Sequence, residues 1–530
     1  MRILAILLPL SAFLISCGER KKVSSPLTGE EIYAQHCASC HGENGEGVDE
    51  EYDEPLWGDR SPESLARYIH KSMPEEDEEA VEDEDAEAVA QYIYDAFYSP
   101  AAQARNRPPR VELLRLTNNQ YRNSVADLVG GLVPQWPASE ERGLKANYFN
   151  SEKMNKRKKP VTERIDPTVD FDYGGGVPIK GMNQKAFAVD WRGALIPPRT
   201  GHYDIRLSTH NGAVLKLNSF NTKKREAAFI DALVNTGNTL QQKSRRIFLL
   251  GGRAYPIELD FFSYQEKLSS IRLEWKPPYG VWEPIPVEAL SPKVVRPVTI
   301  LQRSFSPDDR SLGFERGSAV SRAWQEATTL AAVDVVNDLM SHLEVLGRIR
   351  KLDFRKEEHL VQLCRELAER AFRRPLSEEE EELYITSRFE EAKDANSAAR
   401  QSLLLVLTSP RFLYPGLADN EGSPDGYAVA SRLALTLWDS LPDEALRTAA
   451  AEGRLETLEQ VRSQARRLLQ DPRARHKVQE FFEEWLAMNE RADLTKDGEQ
   501  FPGFDDRIVA DLRRSLELFV EEITWGEDSD

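Results

Sequence analysis

The sequence predicts a multidomain chain of the α plus β class, with a small all-α domain, a β-sandwich inserted in helical domains, and an all-α C-terminal part. The 530 residues are enough for about three or four separate hydrophobic cores. Residues 141–292 contain short stretches in which apolar and polar residues alternate between turn residues, which is typical of a sandwich or barrel. The segments on both sides instead carry apolar residues at helical spacing.

The first residues have the pattern of an export signal. Met1 and Arg2 give a positive start, and the apolar run that follows ends at Ile15, which makes it too short to span a bilayer. We therefore expect a signal peptide over residues 1–16 and a polar linker over residues 17–27.

The end of this apolar run resembles the lipobox of bacterial lipoproteins. The resemblance implies cleavage before Cys17, lipidation of its thiol, and a position at the periplasmic face of a bacterial membrane. Gly18, rather than aspartate, follows the cysteine, and by the same resemblance this favours the outer membrane. An ordinary signal peptide with a chance cysteine is the alternative.

A CxxCH pentapeptide follows the linker. Cys37 and Cys40 have the spacing at which two thiols bind the vinyl groups of one haem, and His41 then faces the iron as an axial ligand. A thioredoxin-type redox pair and half of a zinc site are the alternatives, but the sequence shows neither a βαβ context nor a second ligand pair. With Cys17 assigned to lipid, Cys364 alone remains, and its helical surroundings predict a buried, inert thiol.

Residues 28–99 resemble a small class I cytochrome c. In that family a methionine, often followed by proline, supplies the sixth iron ligand, and the resemblance assigns this role to Met73. His70 is a rival that would give a bis-histidine site, and His36 is a second rival whose ring would have difficulty reaching the opposite face. The resemblance implies one covalent haem c, and a filled sixth position favours electron transfer over oxygen chemistry.

Negative charge dominates the chain and its haem-binding part. The net charge of −19 argues against a nucleic-acid partner because phosphate would be repelled. An acidic run over residues 75–87 is expected to be a solvated loop beside the haem edge. There it could steer a basic redox protein, whereas calcium binding is a weaker option because the run lacks the pattern of a dedicated loop.

Within the predicted sandwich, residues 191–198, 200–203 and 208–213 resemble a PA14 domain, a β-sandwich of toxins, glycosidases and adhesins. The resemblance implies a module that docks a polysaccharide, a surface glycan or a protein partner. Sugar-binding members coordinate calcium through two aspartates, whereas this sequence has His210 and Asn211 at those positions. The loss of two anionic oxygens argues against a calcium site.

Three tryptophans of the sandwich allow two interpretations. Trp191, Trp275 and Trp282 could line a platform for sugar rings, or they could fill the sandwich core. The core is the commoner place for tryptophan in such a fold, so we expect it here.

Two helical segments flank the sandwich. Residues 110–140 contain a helix with Thr117 or Asn118 as its N-cap, and residues 296–350 contain a second helical pattern. We expect these segments to be two parts of one domain that the sandwich interrupts.

The C-terminal part reads as two further helical domains, over residues 353–418 and 422–530, with Ser377 as an N-cap in the first. The motifs at residues 367–378 and 437–444 resemble uncharacterised helical domains of planctomycete-type multidomain secreted cytochromes. In that family a cytochrome c domain, a PA14 domain and several helical domains share one chain. In relatives the last domain continues further, so a truncated domain is expected here.

The helical parts show no catalytic constellation. A serine nucleophile elbow, a phosphate loop and an HExxH zinc motif are absent from the sequence. His342, His359 and His476 are isolated, and each is predicted to be a surface or capping residue. The leading hypothesis is an electron carrier rather than an enzyme. The alternatives are a haem subunit of an oxidoreductase acting on carbohydrate, and a surface adhesion protein with an ancillary haem.

Overall fold

The computed structural model describes most of the chain: residues 27–48, 51–52, 54–75, 77, 80–99, 101–103, 114–132, 140–150, 159–219, 228–234, 237–418, 425–489 and 494–526. The chain forms two compact units, Met1–Glu112 and Leu113–Asp530. Cys17, the predicted lipidation site, lies outside the described residues. None of the described helices combines the length and the apolar composition that crossing a membrane requires.

The first unit is helical in its described part. It contains α1 (Gly29–His36), α2 (Ala38–His41), α3 (Pro62–Ser72) and α4 (Asp83–Ile93), and α4 continues as a π-helical turn at Tyr94–Tyr98.

Close packing of α1 against α4 fixes this unit. Thr28 caps α1 in a capping box with Glu31, so the helix begins at Gly29. A Cβ atom at Gly29 would overlap the backbone carbonyl of Ala88, which means that the two helices cross where only glycine fits. Buried apolar side chains of the helices form one core: Ile32, Tyr33, Leu65, Ile69, Val81, Ala86, Val89, Ala90, Ile93 and Phe97.

The second unit begins with α5 (Asn118–Gly130) and continues into a sandwich of two antiparallel sheets. The strands are β1 (Leu144–Phe149), β2 (Thr162–Asp166), β3 (Asp170–Gly174), β4 (Ala186–Leu195), β5 (Gly201–Thr209), β6 (Gly212–Leu217), β7 (Ile230–Ala232), β8 (Gln241–Leu249), β9 (Tyr255–Tyr264), β10 (Ser269–Lys276), β11 (Glu283–Pro284) and β12 (Leu290–Ser291). One sheet has the order β2-β1-β4-β9-β6-β7, with β12 also paired to β4. The other has the order β11-β10-β5-β8, with β3 also paired to β10.

The inward faces of the two sheets form the sandwich core. Alternate residues along β4, β5, β9 and β10 point inward, as the period of two predicts. Large aromatic side chains dominate the fully buried set: Tyr148, Phe187, Trp191, Tyr203, Tyr255, Phe261 and Trp275.

Helices follow the sandwich to the end of the described chain. They are α6 (Arg322–Ser341), α7 (Leu343–Arg350), α8 (Glu357–Phe372), α9 (Glu378–Glu381), a π-helical turn (Glu382–Thr386), α10 (Ser387–Glu391), α11 (Ala395–Thr408), α12 (Pro410–Leu413), α13 (Gly426–Trp438), α14 (Glu444–Ala451), α15 (Leu458–Leu469), α16 (Pro472–Trp485) and α17 (Asp506–Trp525). Ser377 caps α9 in a capping box, as the sequence predicted.

The segments on the two sides of the sandwich share one core. Thr117 caps α5, and Tyr121 and Val125 of that helix pack with Trp324 of α6 and Leu363 of α8. The sandwich is therefore an insertion whose two ends return to the same group of helices. A smaller core unites α13 to α16 around these buried residues: Ala430, Ala434, Trp438, Leu446, Ala449, Leu455, Leu468 and Ala474.

Candidate haem site

The CxxCH motif lies where α1 ends and α2 begins. The backbone N–H of Cys37 donates to the carbonyl of Tyr33 at 2.8 Å, and the N–H of His41 donates to the carbonyl of Cys37 at 3.0 Å. Gly42 then ends α2 with a φ of 82°, a left-handed conformation that favours glycine. Both thiols and the imidazole therefore project from a single helical turn at the junction of α1 and α2.

The two thiols have different surroundings. Cys37 is half-buried beside the core, Cys40 is exposed, and both are free thiols. Burial, together with the neighbouring Cys40, raises the pKa of Cys37 to about 11. A thioredoxin-type pair needs a lowered thiol pKa, so this environment disfavours the redox alternative. Within the part of the chain that the structure describes, no group of three or more His, Cys, Asp or Glu residues is arranged to hold a metal ion.

His41 has the properties of an available ligand. Its Nδ1 atom is buried and has no hydrogen-bond partner among the described residues. Burial lowers the pKa of the ring, which favours the neutral imidazole that binds iron. The ring meets Tyr52 edge-on, with 4.7 Å between the ring centroids. The side chain is therefore not committed to another role in the protein.

The structure distinguishes the candidates for the sixth position. Met73 follows α3 directly and packs against the same core that Cys37 borders. His70 is exposed, and its Nδ1 accepts a hydrogen bond from the backbone N–H of Asp83 at 3.4 Å. His36 lies in the last turn of α1, directly before the motif. Burial against the core favours Met73.

The donor set of this unit fits a covalently attached haem. Two free thiols, a neutral imidazole and a thioether are the groups that hold a c-type haem with histidine and methionine as axial ligands. Tyr33 supports the segment after the motif, because its hydroxyl donates to the carbonyl of Gly42 at 2.8 Å. Its ring packs on Phe97, with 5.6 Å between centroids, and so joins the motif to the last helical turn.

The sandwich does not present a carboxylate pair at the PA14 calcium position. The Nδ1 of His210 lies 2.7 Å from the hydroxyl of Ser270. The side-chain amide of Asn211 donates to the carbonyl of Leu268 at 3.1 Å, and its oxygen accepts the N–H of Ser270 at 3.2 Å. Both side chains tie the β5–β6 turn to β10 instead of facing an open site.

The sandwich tryptophans mostly lie in the core. Trp191 and Trp275 are fully buried, and their Nε1 atoms donate to Asp166 at 2.8 Å and Glu283 at 3.0 Å. Trp282 stacks against the guanidinium of Arg206, 4.1 Å from its ring centroid. The core interpretation is confirmed for the first two, and they do not form a sugar platform.

Comparisons with known families match four segments of the chain. The family described as "Cytochrome C oxidase, cbb3-type, subunit III" matches residues 24–93, and "PA14 domain" matches residues 140–288. Two families described as "Protein of unknown function", DUF1595 and DUF1592, match residues 360–415 and 425–530. The chain has the domain composition of a planctomycete-type multidomain cytochrome c protein. This confirms the predicted fold class, and the cytochrome domain makes the chain a haem protein.

Individual relatives match the sandwich region in part. The anti-sigma-I factor RsgI3 of Acetivibrio thermocellus is 26% identical over 150 residues, which are 28% of this chain and 21% of that protein. The chain thus spans about a fifth of the curated relative it matches. A solved anti-sigma factor domain-containing protein from Clostridium clariflavum is 27% identical over 30% of this chain and 52% of its own, with a TM-score of 0.25. A solved "PA14 sugar-binding domain from RTX adhesin" is 15% identical over 28% of this chain and 98% of its own, with a TM-score of 0.23.

A buried polar cluster in the second unit was missed by the sequence analysis. The Nε2 of His476, from α16, lies 2.9 Å from the hydroxyl of Thr200 and 3.1 Å from a carboxylate oxygen of Glu480. Asn119 of α5 donates to Glu315 at 3.3 Å and to Glu480 at 3.4 Å. We call these five residues the His476 cluster.

The prediction that His476 is a surface or capping residue is wrong. Its side chain is only 9% exposed, because α16 packs on the turn between β8 and β9. A Cβ atom at Gly251 in that turn would overlap the imidazole ring. His342 and His359, by contrast, are partly exposed, and the Nδ1 atom of each lies 2.9 Å from a nearby backbone carbonyl oxygen.

Burial and mutual charge set the pKa values of this cluster. Burial alone would lower the pKa of His476, but the Glu480 carboxylate outweighs it and the net shift is upward. Burial raises the pKa of Glu315 to about 7, with Arg310 opposing the shift and Glu480 adding to it. Burial would also raise the pKa of Glu480, but His476 reverses the direction and lowers it. Asp439, buried near His476, has a pKa that is raised by burial.

We expect the contact between the sandwich and α16 to lose stability as the pH rises from 5 to 8. His476 and Glu315 both have higher pKa values in the folded chain, so the stability they contribute is present at low pH and is lost as the pH passes their folded pKa. Glu480 acts in the opposite sense, but only below its unfolded pKa of about 4.5. For Glu315 alone the loss across this window is on the order of 2 kcal/mol.

Urea denaturation of the full chain at pH 5, 6.5 and 8, with hydrogen exchange read over α16, measures this dependence. Glu315→Gln should flatten the profile, because it removes the titrating carboxyl while keeping its size. Glu378→Gln, at the exposed start of α9, is the matched control and should leave the slope unchanged. A wild-type profile that is flat, or that E315Q does not alter, would contradict the assignment.

Proposed function

We propose that this protein is an exported c-type cytochrome that passes single electrons, with one haem bound covalently through Cys37 and Cys40. The observation that carries the proposal is the CxxCH motif on α2, with both thiols free and the Nδ1 of His41 buried without a protein partner. When bound, the haem supplies a one-electron redox couple. Residues of the first unit would hold it, and the sandwich would dock partners.

His41 and Met73 are the residues that would bind the iron. The neutral state of His41, favoured by burial, leaves a nitrogen lone pair free to bind. Met73 borders the apolar core, which shields a thioether from water, whereas the exposed His70 already accepts a hydrogen bond. Iron bound by two protein side chains would favour electron transfer over oxygen chemistry, and a methionine ligand would raise the potential relative to a bis-histidine site.

The sandwich would dock the protein on a glycan, polysaccharide or partner protein. The PA14 match over residues 140–288 and the sugar-binding title of one solved relative support this role. The internal use of His210 and Asn211 argues that any sugar is bound without a PA14-type calcium ion. A redox protein with a basic surface fits the acidic segment that follows Met73.

The location we propose is the periplasmic face of a bacterial membrane, the outer membrane being favoured, with lipid on Cys17. The linker over residues 17–27 extends at most about 35 Å, so the haem would work close to the membrane surface. The apolar run that ends at Ile15 and the cysteine two residues later support this placement.

The axial assignment is tested on protein matured in a periplasm that assembles c-type cytochromes. Met73→Ala is expected to abolish the absorption band of methionine bound to ferric iron and to lower the reduction potential, because a water or a weaker donor replaces the thioether. The haem should stay attached, since the thiols are untouched.

His70→Ala is the matched control, because His70 lies three residues before Met73 on the same segment. It should keep both the band and the potential. If H70A removes the low-spin spectrum while M73A leaves it intact, the site is bis-histidine and the assignment of Met73 is wrong.

A further inference from the structure

A cleft of about 750 Å³ lies in the second unit, where the sandwich meets the helices. Its size is within the range of small-molecule sites, which is roughly 300–1,000 Å³. Six separate stretches of chain line it: residues 126–127 and 130–132, 252–254, 295–298, Arg370, 441–445 and 471–473. We call this space the arginine cleft, because four arginines contribute to its wall.

Two of these arginines are neutralised by a shared aspartate. Arg253, from the turn before β9, lies 2.5 Å from Asp127 of α5, and Arg473, at the start of α16, lies 3.2 Å from the same carboxylate. Burial would raise the pKa of Asp127, but the two guanidinium groups outweigh it and hold the pKa well below its usual value. Arg473 also contacts Asp471 at 2.8 Å. The positive charges of Arg253 and Arg473 are therefore balanced by the carboxylates of Asp127 and Asp471.

The other two arginines have no carboxylate partner. Among the described residues, neither Arg296 nor Arg370 lies within 4.0 Å of an acidic oxygen, and the Nε atom of each is buried without a hydrogen-bond partner. Arg370 makes one long contact, from Nη2 to the carbonyl of Asp127 at 3.4 Å. Burial lowers the pKa of Arg370, and nearby carboxylates only partly oppose the shift.

The remaining acids of the wall are already paired. Asp443 binds Arg467 at 2.8 Å, and Glu444 binds Arg447. Arg296 and Arg370 therefore form no direct ion pair with these acids, although Asp127 and Glu444 act on Arg370 at longer range. A buried guanidinium N–H without an acceptor is costly, and an oxyanion that accepts the fork of N–H groups removes this cost.

The backbone makes room for this arrangement. A Cβ atom at Gly131 would overlap the guanidinium of Arg370, so only glycine lets that side chain reach its position. Gly252, which also lines the cleft, has a φ of 69° and keeps the turn before Arg253 in the left-handed region.

We propose that the arginine cleft binds an organic oxyanion of the size of a mono- or disaccharide, with its carboxylate or sulfate group held by Arg296 and Arg370. The site differs from the PA14 loop position, since the helices supply most of its wall. All its lining residues belong to the second unit, so the proposal does not rest on the haem assignment.

Isothermal titration calorimetry on the full-length haem-loaded protein tests the proposal with glucuronate and glucose 6-sulfate as probes. At least one of them should bind, and glucose should not. The probe that binds identifies the anionic group as carboxylate or sulfate. Arg296→Gln and Arg370→Gln should each weaken binding at least tenfold, and the affinity should fall with salt. Arg348→Gln, on the exposed face of α7, is the matched control and should bind as the wild type does.

Thermal unfolding without ligand separates a binding role from a structural one. Because Arg296 and Arg370 form no ion pair with the described residues, their replacement by glutamine should leave Tm unchanged or raise it, whereas structural arginines would lower it. The charged probe should raise the Tm of the wild type but not of the double variant. Equal affinity for glucose and both charged probes, affinity for inorganic sulfate that matches that of the organic anions, or unaltered binding by R296Q and R370Q would each overturn the proposal.

Discussion

Replacing both Cys37 and Cys40 with serine is expected to leave the protein without covalently bound haem. Serine has nearly the same shape as cysteine, so the turn between α1 and α2 should form as before. Neither thiol has a structural bond that the fold depends on, since both are free and Cys40 is exposed. What the hydroxyls cannot do is form the thioether bonds that attach the porphyrin. The loss should therefore be complete and specific to attachment.

Haem staining after denaturing electrophoresis, with a pyridine haemochrome count, measures this loss. The wild type should carry one haem per chain and the double variant none. Cys364→Ser is the matched control, because Cys364 is buried between α8 and α11 and burial raises the pKa of its thiol to about 12. That variant should keep a full haem complement. Covalent haem that survives in the double variant would refute the assignment of the motif.

Local patterns predicted the parts of this fold whose causes are local. The CxxCH motif depends on five consecutive residues, and the capping boxes at Thr117 and Ser377 depend on four. The alternation in β5 and β10 predicted the sandwich because alternate side chains of these strands point into its core. The residues that cause such features lie within one helix, strand or turn. They can therefore be recognised in the sequence without knowing what that element packs against.

The buried charges could not be predicted in this way. Asp127 and Arg253 are 126 residues apart, and they meet only because α5 packs against the sandwich. Glu480 and His476 are spaced like any solvent-facing pair on a helix, four residues apart. In α5 six successive residues, 121–126, are buried in the structure, and Arg122 and Asn123 are two of them. Such a helix must have polar partners on more than one side.

The ion pair between Arg115 and Asp308 is expected to have the largest effect on stability. It joins the segments that precede and follow the sandwich, at 2.7 Å and with side-chain exposures of 2% and 0%. Asp308→Ala should lower the free energy of unfolding of the helical core by about 3–5 kcal/mol, because it leaves a buried guanidinium unpaired. It also removes the acceptor for the backbone N–H of Asn118, 2.7 Å away, at the start of α5.

Among the residues that the structure describes, Asp308 is the one acidic residue that pairs with Arg115. Its Nε donates to the carbonyl of Ala319 at 2.7 Å, and its guanidinium lies over the ring of Trp324, 4.5 Å from the centroid. These contacts hold the charge in place after the aspartate is lost. A double-mutant cycle that combines Asp308→Ala with Arg115→Met should therefore be strongly non-additive. The double variant should be more stable than D308A alone, because it no longer contains the unpaired guanidinium of Arg115.

Urea denaturation followed by near-ultraviolet circular dichroism, together with hydrogen exchange over α5, measures these differences. Asp334→Asn breaks an exposed pair with Arg303 and is the matched control, for which little change is expected because exposed pairs contribute little. If D308A unfolds at the same urea concentration as D334N, the buried pair does not hold the interrupted domain together. If the double variant is instead less stable than the wild type by the sum of the two single effects, Arg115 and Asp308 act independently, and the closure of the sandwich insertion must depend on the shared apolar core of α5, α6 and α8.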